Sequence, residues 1–222
     1  MERQHFAMSS STDPARTSLA AFSLVELMVV VAIIAIIAGF VVPATTDVVQ
    51  SSRLSNCAVN LMNQLNAARM LAIRMNQPVE MHFYQYADTE DPGQTPAYHG
   101  CDMWVNGIRY STMTTFETGV VLSAMKDASG QSWSSILDPS VNTLGTNQPL
   151  PTGIKIGRAA SSPAPTYSYF QFRPDGSTNL SGSQQWTLTL LMEKDSARTV
   201  LPSNFVSIVL DPLTGGVRML SP

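Results

Sequence analysis

One carboxylate stands alone in a long apolar run. From Phe22 to Val42 the only charged residue is Glu26, close to the start of the stretch. An ionised side chain among lipid-facing neighbours costs on the order of 2.5–3.5 kcal/mol at mid-span, and such residues usually have a functional partner. The plainer reading of Glu26 is an acid that reaches polar headgroups from the end of a span. The other reactive side chains form no comparable pattern. His5, His82 and His99 lack the spacing of a metal site. His99 lies near Cys101 and Asp102, which suits a satisfied core or surface histidine better than a ligand. Asp88, Glu90 and Asp91 form an acidic stretch without the alternating ligands of a calcium loop. No nucleophile motif and no glycine-rich phosphate loop is present. On this reading the chain has no catalytic residue, no metal and no cofactor, and is not an enzyme.

The elements around Glu26 follow from hydropathy. Residues 22–42 form a run of about 21 residues, long enough as a helix to cover roughly 30 Å of hydrocarbon. Pro43 lacks an N–H and its ring crowds the carbonyl of Gly39, itself a poor helix former, so the span predicts a kink at Gly39 and Pro43. Beyond it Leu54, Ala58, Leu61, Leu65, Ala68, Ala72 and Met75 recur at steps of four and three, one stripe of an amphipathic helix. Gln77-Pro78 ends that helix.

Strand signals follow. Val79–Tyr84 opens them, and Met103-Trp104-Val105 with Ile108-Arg109-Tyr110 reads as a hairpin turning at Asn106-Gly107. Further strands are expected at Gly119–Ala124, Ile154–Ile156, Tyr167–Phe172, Trp186–Met192, Phe205–Leu210 and Val217–Leu220, the last four supplying most of the sheet core. Asp175-Gly176 and Thr214-Gly215-Gly216 read as turns. The stretches Tyr86–Pro96, Lys126–Pro151 and Ala159–Thr166 are rich in Gly, Pro, Ser, Asp and Asn and read as long loops.

Phe22-Ser23-Leu24-Val25-Glu26, the run that follows it and Pro43 together resemble the N-terminus of type IV pilins and type II secretion pseudopilins. The resemblance implies that a prepilin peptidase cuts between Ala21 and Phe22 and that Phe22 becomes N-methylated. Ala21 departs from the glycine preferred in the family. Glu26 would then be the fifth mature residue, an assembly residue relieved by the amine of a neighbouring subunit's Phe22. Leu65–Val79, Phe172-Arg173-Pro174-Asp175-Gly176-Ser177 and Thr214-Gly215-Gly216-Val217-Arg218 look like minor pilins of the GspH/FimT type. The family reading also places Cys57 and Cys101 outside the cytoplasm, where disulfides form. They are either bridged, closing a loop of over forty residues worth about 3–4 kcal/mol in the chain-entropy model, or two separate thiols.

The organisation expected is α+β: a long N-terminal transmembrane/amphipathic α-helix packed on an antiparallel β-sheet domain. Residues 1–21 are a removable leader, 22–42 the transmembrane or fibre-core helix, 43–77 its amphipathic extension and 78–222 the β domain. Met8 is an alternative start to Met1. Hydrophobic residues make up 44% of the chain and its net charge is −3, a balance that does not suggest a nucleic-acid surface. Arg16 and Arg53 flank the run without a clear excess, so the orientation comes from the resemblance alone. That resemblance implies a single-pass inner-membrane protein with a periplasmic β domain, later part of a pilus or pseudopilus. Its partners would be other pilin subunits, prepilin peptidase and the inner membrane; nucleic acid is not expected. The competing readings are a pilus-tip module binding DNA or another ligand, and a plain membrane-anchored β domain. A secretory signal peptide fits poorly, with Glu26 in its apolar region and no small-x-small cleavage site.

Overall fold

The computed structural model describes residues 23–90, 95–124, 133–140, 142, 145–198 and 200–221, without the side chains of 39–47, 133 and 134. The chain divides into two compact units, Met1–Thr45 and Thr46–Pro222. One helix, α1 (Leu24–Met75), is followed by β1 (Val79–Tyr86), β2 (Ala97–Val105), β3 (Ile108–Arg109), β4 (Thr114–Thr115), β5 (Val120–Ser123), β6 (Trp133–Ser135), β7 (Gln148–Pro149), β8 (Thr166–Phe172), β9 (Gln185–Met192), β10 (Phe205–Leu210) and β11 (Val217–Leu220). A 3-10 turn, Glu193–Asp195, follows β9.

In the second unit the sheet order is β11-β10-β9-β5-β2-β1-β8-β7, with β3 and β4 on β2 and β6 on β9. Its inner face is built by period-two alternation. Val79, Met81 and Phe83 of β1 pair with Val105, Met103 and Cys101 of β2 and with Phe172, Phe170 and Ser168 of β8. The helical stripe from Leu54 to Ala72 is buried in the same core as these strands and as Leu188, Leu190 and Ile208. At about 1.5–3 kcal/mol for each fully buried large apolar side chain, this layer is the main stabilising term of the unit. A smaller cluster on the other face joins Ala97, Val121 and Leu191 with Leu201 and Phe205.

The expected fold class needs correction. Among the described residues no helix is long and apolar enough to cross a membrane. The apolar side chains described run from Leu24 to Ala38, about 15 residues, and at 1.5 Å per residue they reach roughly 22 Å, short of the ~30 Å of hydrocarbon. A transmembrane helix, and with it a single-pass inner-membrane anchor, is therefore not supported. The large side chains of the apolar stretch are exposed by 47% to 74%, and the helical part of the core begins at Leu54. The sheet is not wholly antiparallel either, because β6 runs parallel to β9.

Local details differ where chemistry other than hydropathy decides. Met75 is exposed rather than on the buried stripe. The helix stops at Asn76, whose φ of 51° is left-handed. Asn76 N–H bonds Ile73 O and Gln77 N–H bonds Ala72 O, a Schellman closure with asparagine in the place usually held by glycine. The turn at Asn106-Gly107 is as expected, with positive φ at both residues. Ile154–Ile156 is not a strand. Lys126–Pro151 is more than a loop: it holds β6, β7 and the buried Ile136 and Leu137. The strand β11 lies at the sheet edge and is largely exposed, and of its residues only Val217 packs against the core.

Three separate segments meet at the helix. Arg69 Nε donates to Gly176 O at 3.3 Å. Gly176 (φ 84°) and Gly215 (φ 64°) both hold left-handed backbone. A Cβ on Gly215 would strike the Gly176 carbonyl and come within 3.1 Å of Arg69 Cδ. Thr178 N–H and Oγ1 both donate to Pro212 O, tying the two turns together. Gly215→Ala is expected to destabilise the unit by about 3 kcal/mol, from backbone strain plus collision. Gly153→Ala, at φ 88° with open space around it, should cost only about 1 kcal/mol. Urea unfolding checks the contrast, and equal losses would mean that the packing of the two turns does not matter.

Candidate functional site

The first turn of α1 is built as a capping box. Ser23 Oγ accepts the Glu26 N–H at 3.1 Å, and Glu26 Oε2 accepts the Ser23 N–H at 2.9 Å. The carboxylate also sits at the positive end of the helix macrodipole, where negative charge is stabilising. Glu26 is thus not a bare acid in an apolar run: its own helix terminus supplies a partner. Ser-x-x-Glu before an apolar stretch is the sequence signal that reveals this. The cap uses Oε2, and among the described residues Oε1 accepts from no donor.

Downstream of the cap, Leu24, Val25, Leu27, Met28, Val29, Val30, Val31, Ile33, Ile34, Ile36 and Ile37 are all exposed. They cover every side of the helix. A surface helix ordinarily shows one apolar stripe, and a helix apolar all round belongs to a buried position. The expected cleavage pair Ala21 and Phe22, with the N-methylation of Phe22, lies outside the described residues, as do the side chains of Gly39 and Pro43.

The two cysteines are brought together. Cys57 on α1 and Cys101 on β2 are free, buried thiols lining one cavity of about 40 Å³. Of the two alternatives, the structure therefore holds the unbridged one. Burial pushes the Cys101 thiol up to about 12, and also raises Cys57, whose Sγ accepts the Glu117 N–H at 3.2 Å. Thiols so held are poor nucleophiles.

His99 turns away from Cys101. Its ring lies tilted against Tyr86, 4.6 Å between centroids, and lines an open cleft of about 680 Å³ with Asp88, Glu90 and Arg158. Burial holds its imidazole below the ordinary histidine value. Arg158 Nη2 lies 2.7 Å from both Asp88 Oδ2 and Glu90 Oε2, so the acidic stretch is engaged by an internal cation. Among the described residues no group of three or more His, Cys, Asp or Glu side chains is placed to hold a metal.

The outer face of the sheet carries a network that hydropathy did not reveal. Asp102, fully buried, accepts hydrogen bonds from Tyr84 Oη at 2.9 Å, Trp104 Nε1 at 2.8 Å and Arg109 Nε at 2.6 Å. Burial lifts the Asp102 carboxyl above the usual range, while the Tyr84 hydrogen bond and the Arg109 charge hold that rise back. Beside it His82 stacks between Trp104 and Tyr167, at 5.0 and 4.4 Å, with Nε2 2.7 Å from Glu80 Oε2. The hydrogen bond from His82 outweighs burial and, with that from Gln171, draws the Glu80 carboxyl below the usual range. Tyr84, Asp102 and Trp104 bond one another, whereas His82 Nδ1 is buried with no hydrogen-bond partner among the described residues. The bonds at Asp102 tie β1, β2 and β3 together on this face.

The chain matches no family model, no curated protein and no solved structure.

Arg109→Met would strand the buried Asp102 carboxylate without its cation. The expected cost is about 2–3 kcal/mol at pH 7. Because the folded protein already holds the Asp102 proton more tightly than the unfolded chain does, acid favours the folded variant through that titration. The deficit should shrink by pH 5. Thermal unfolding of both proteins at the two pH values checks this; a deficit independent of pH would contradict an ionised Asp102.

Proposed function

We propose that the chain is a structural subunit of a fibre of the type IV pilin or type II secretion pseudopilin kind, assembled through its N-terminal helix. The observation that carries this reading is the exposed helix Leu24–Ile37, apolar on all sides. Covering these residues with the same helix of neighbouring subunits removes apolar area from water at every turn. Even about 1 kcal/mol for each half-exposed side chain sums to roughly 10 kcal/mol of gross driving force, against the association costs any complex must offset.

The N-terminal residues support the reading by their resemblance to a prepilin. Cleavage between Ala21 and Phe22 and methylation of Phe22 would leave Glu26 close to the new end of the chain. Its Oε1, which accepts from no described residue, is then open to a donor from a neighbouring subunit. The sheet unit, held by its own core, is the part the fibre displays, outside the cytoplasm. The resemblance of Leu65–Val79, Phe172–Ser177 and Thr214–Arg218 to minor pilins favours a minor position. Those are the segments that Arg69, Gly176 and Gly215 draw together.

Replacing Ile33 and Ile34 by lysine places two charges within the helix face to be covered. Incorporation of this variant into sedimentable fibres should fall at least tenfold, while the melting temperature of the sheet unit stays unchanged. Undiminished incorporation would contradict assembly through the helix.

A further inference from the structure

The sheet unit has its own uncovered apolar surface. Met70, Leu71 and Ile73 of α1, with Ala67, Met103 and Tyr110, line a groove of about 470 Å³. Met70 is exposed by 62%, Ile73 by 43% and Tyr110 by 52%. The groove has one charged lining residue, Arg74. Among the described residues no carboxylate forms an ion pair with it.

We infer that this groove receives the apolar helix of a neighbouring subunit, a second copy of the segment Leu24–Ile37, with Glu26 facing Arg74. The inference rests on the fibre reading above and adds to it the acceptor surface on the sheet unit. Charge complementarity selects the occupant. The groove offers apolar contact and one cation. The segment offers apolar contact on every side and one anion, since Glu26 is the only charged residue between Leu24 and Thr46. The cap engages Oε2, and Oε1, which accepts from no described residue, accepts from the guanidinium. In an environment the apolar side chains have dried, such a pair is costly to leave unmade and fixes register. Donor and acceptor are different surfaces of the molecule, so the contact is heterologous. Repeated heterologous contacts that do not close a ring build an open filament.

Cross-linking tests this with the full chain. Leu27→Cys and Met70→Cys copies are mixed under assembling conditions and treated with a short bis-maleimide, with Ser161→Cys, on an exposed turn, replacing Met70→Cys as the control. The expected result is a Leu27→Cys to Met70→Cys product at least ten times the control. Adding Arg74→Glu to the Met70→Cys copy should reduce that product at least fivefold, with unchanged circular dichroism. Links between Leu27→Cys copies, with none to Met70→Cys above the control, would overturn the groove and leave helix-driven assembly standing. Absence of both kinds of link would overturn both. A Met70→Cys product that Arg74→Glu does not diminish would overturn the charge pairing that selects this occupant.

Discussion

A helix can lay only one side against a sheet, and this constraint organises the molecule. In the second unit the rule is met: Leu54, Ala58, Leu61, Leu65, Ala68 and Ala72 enter the core, while Asn60, Asn63 and Arg74 remain outside it. Between Leu24 and Ile37 the rule has no solution within one chain, because apolar side chains point in every direction and all stand exposed. The buried core described lies in the second unit, and the described side chains from Leu24 to Ile37 present an exposed apolar surface. The proposed assembly follows from that imbalance rather than from any reactive group.

The sheet unit is stiffened on both faces of its sheet. On the inner face, α1 is fastened by packing and by the Arg69 contact to the Asp175-Gly176 turn, itself tied to the 211–216 turn. On the outer face, Asp102 gathers Tyr84, Trp104 and Arg109 into one buried network across β1, β2 and β3. Such networks are costly when incomplete and specifying when satisfied.

Period-two and period-3.6 patterns made much of this legible in advance. Phe205–Leu210 and the turn at Asn106-Gly107 lie where alternation and left-handed turn chemistry place them. The helical stripe was readable as far as Ala72. What escaped was chemistry with no periodicity. Asn76 ends the helix by adopting a left-handed conformation that glycine usually supplies. Ser23 and Glu26 form a cap whose three-residue spacing was visible, but the apolar run drew the reading toward an unpartnered acid. The strand β6 sits in a polar stretch and owes its existence to pairing with β9. Ile154–Ile156 has strand-like residues and no strand to pair with. The network at Asp102 combines residues from three strands and needed register, not composition, to be seen. The transmembrane expectation counted residues through Val42, whereas the described apolar side chains stop short of a bilayer's thickness.

The central claim is that Leu24–Ile37 is buried by neighbouring subunits in the native fibre. Hydroxyl-radical footprinting of the native assembly, compared with the dispersed full chain, measures this directly. The account predicts strong protection of Leu27, Met28, Ile33, Ile34 and Ile37 in the assembly, with the exposed loop at Ser161 labelled equally in both. Equal labelling of the helix in the two states would contradict it.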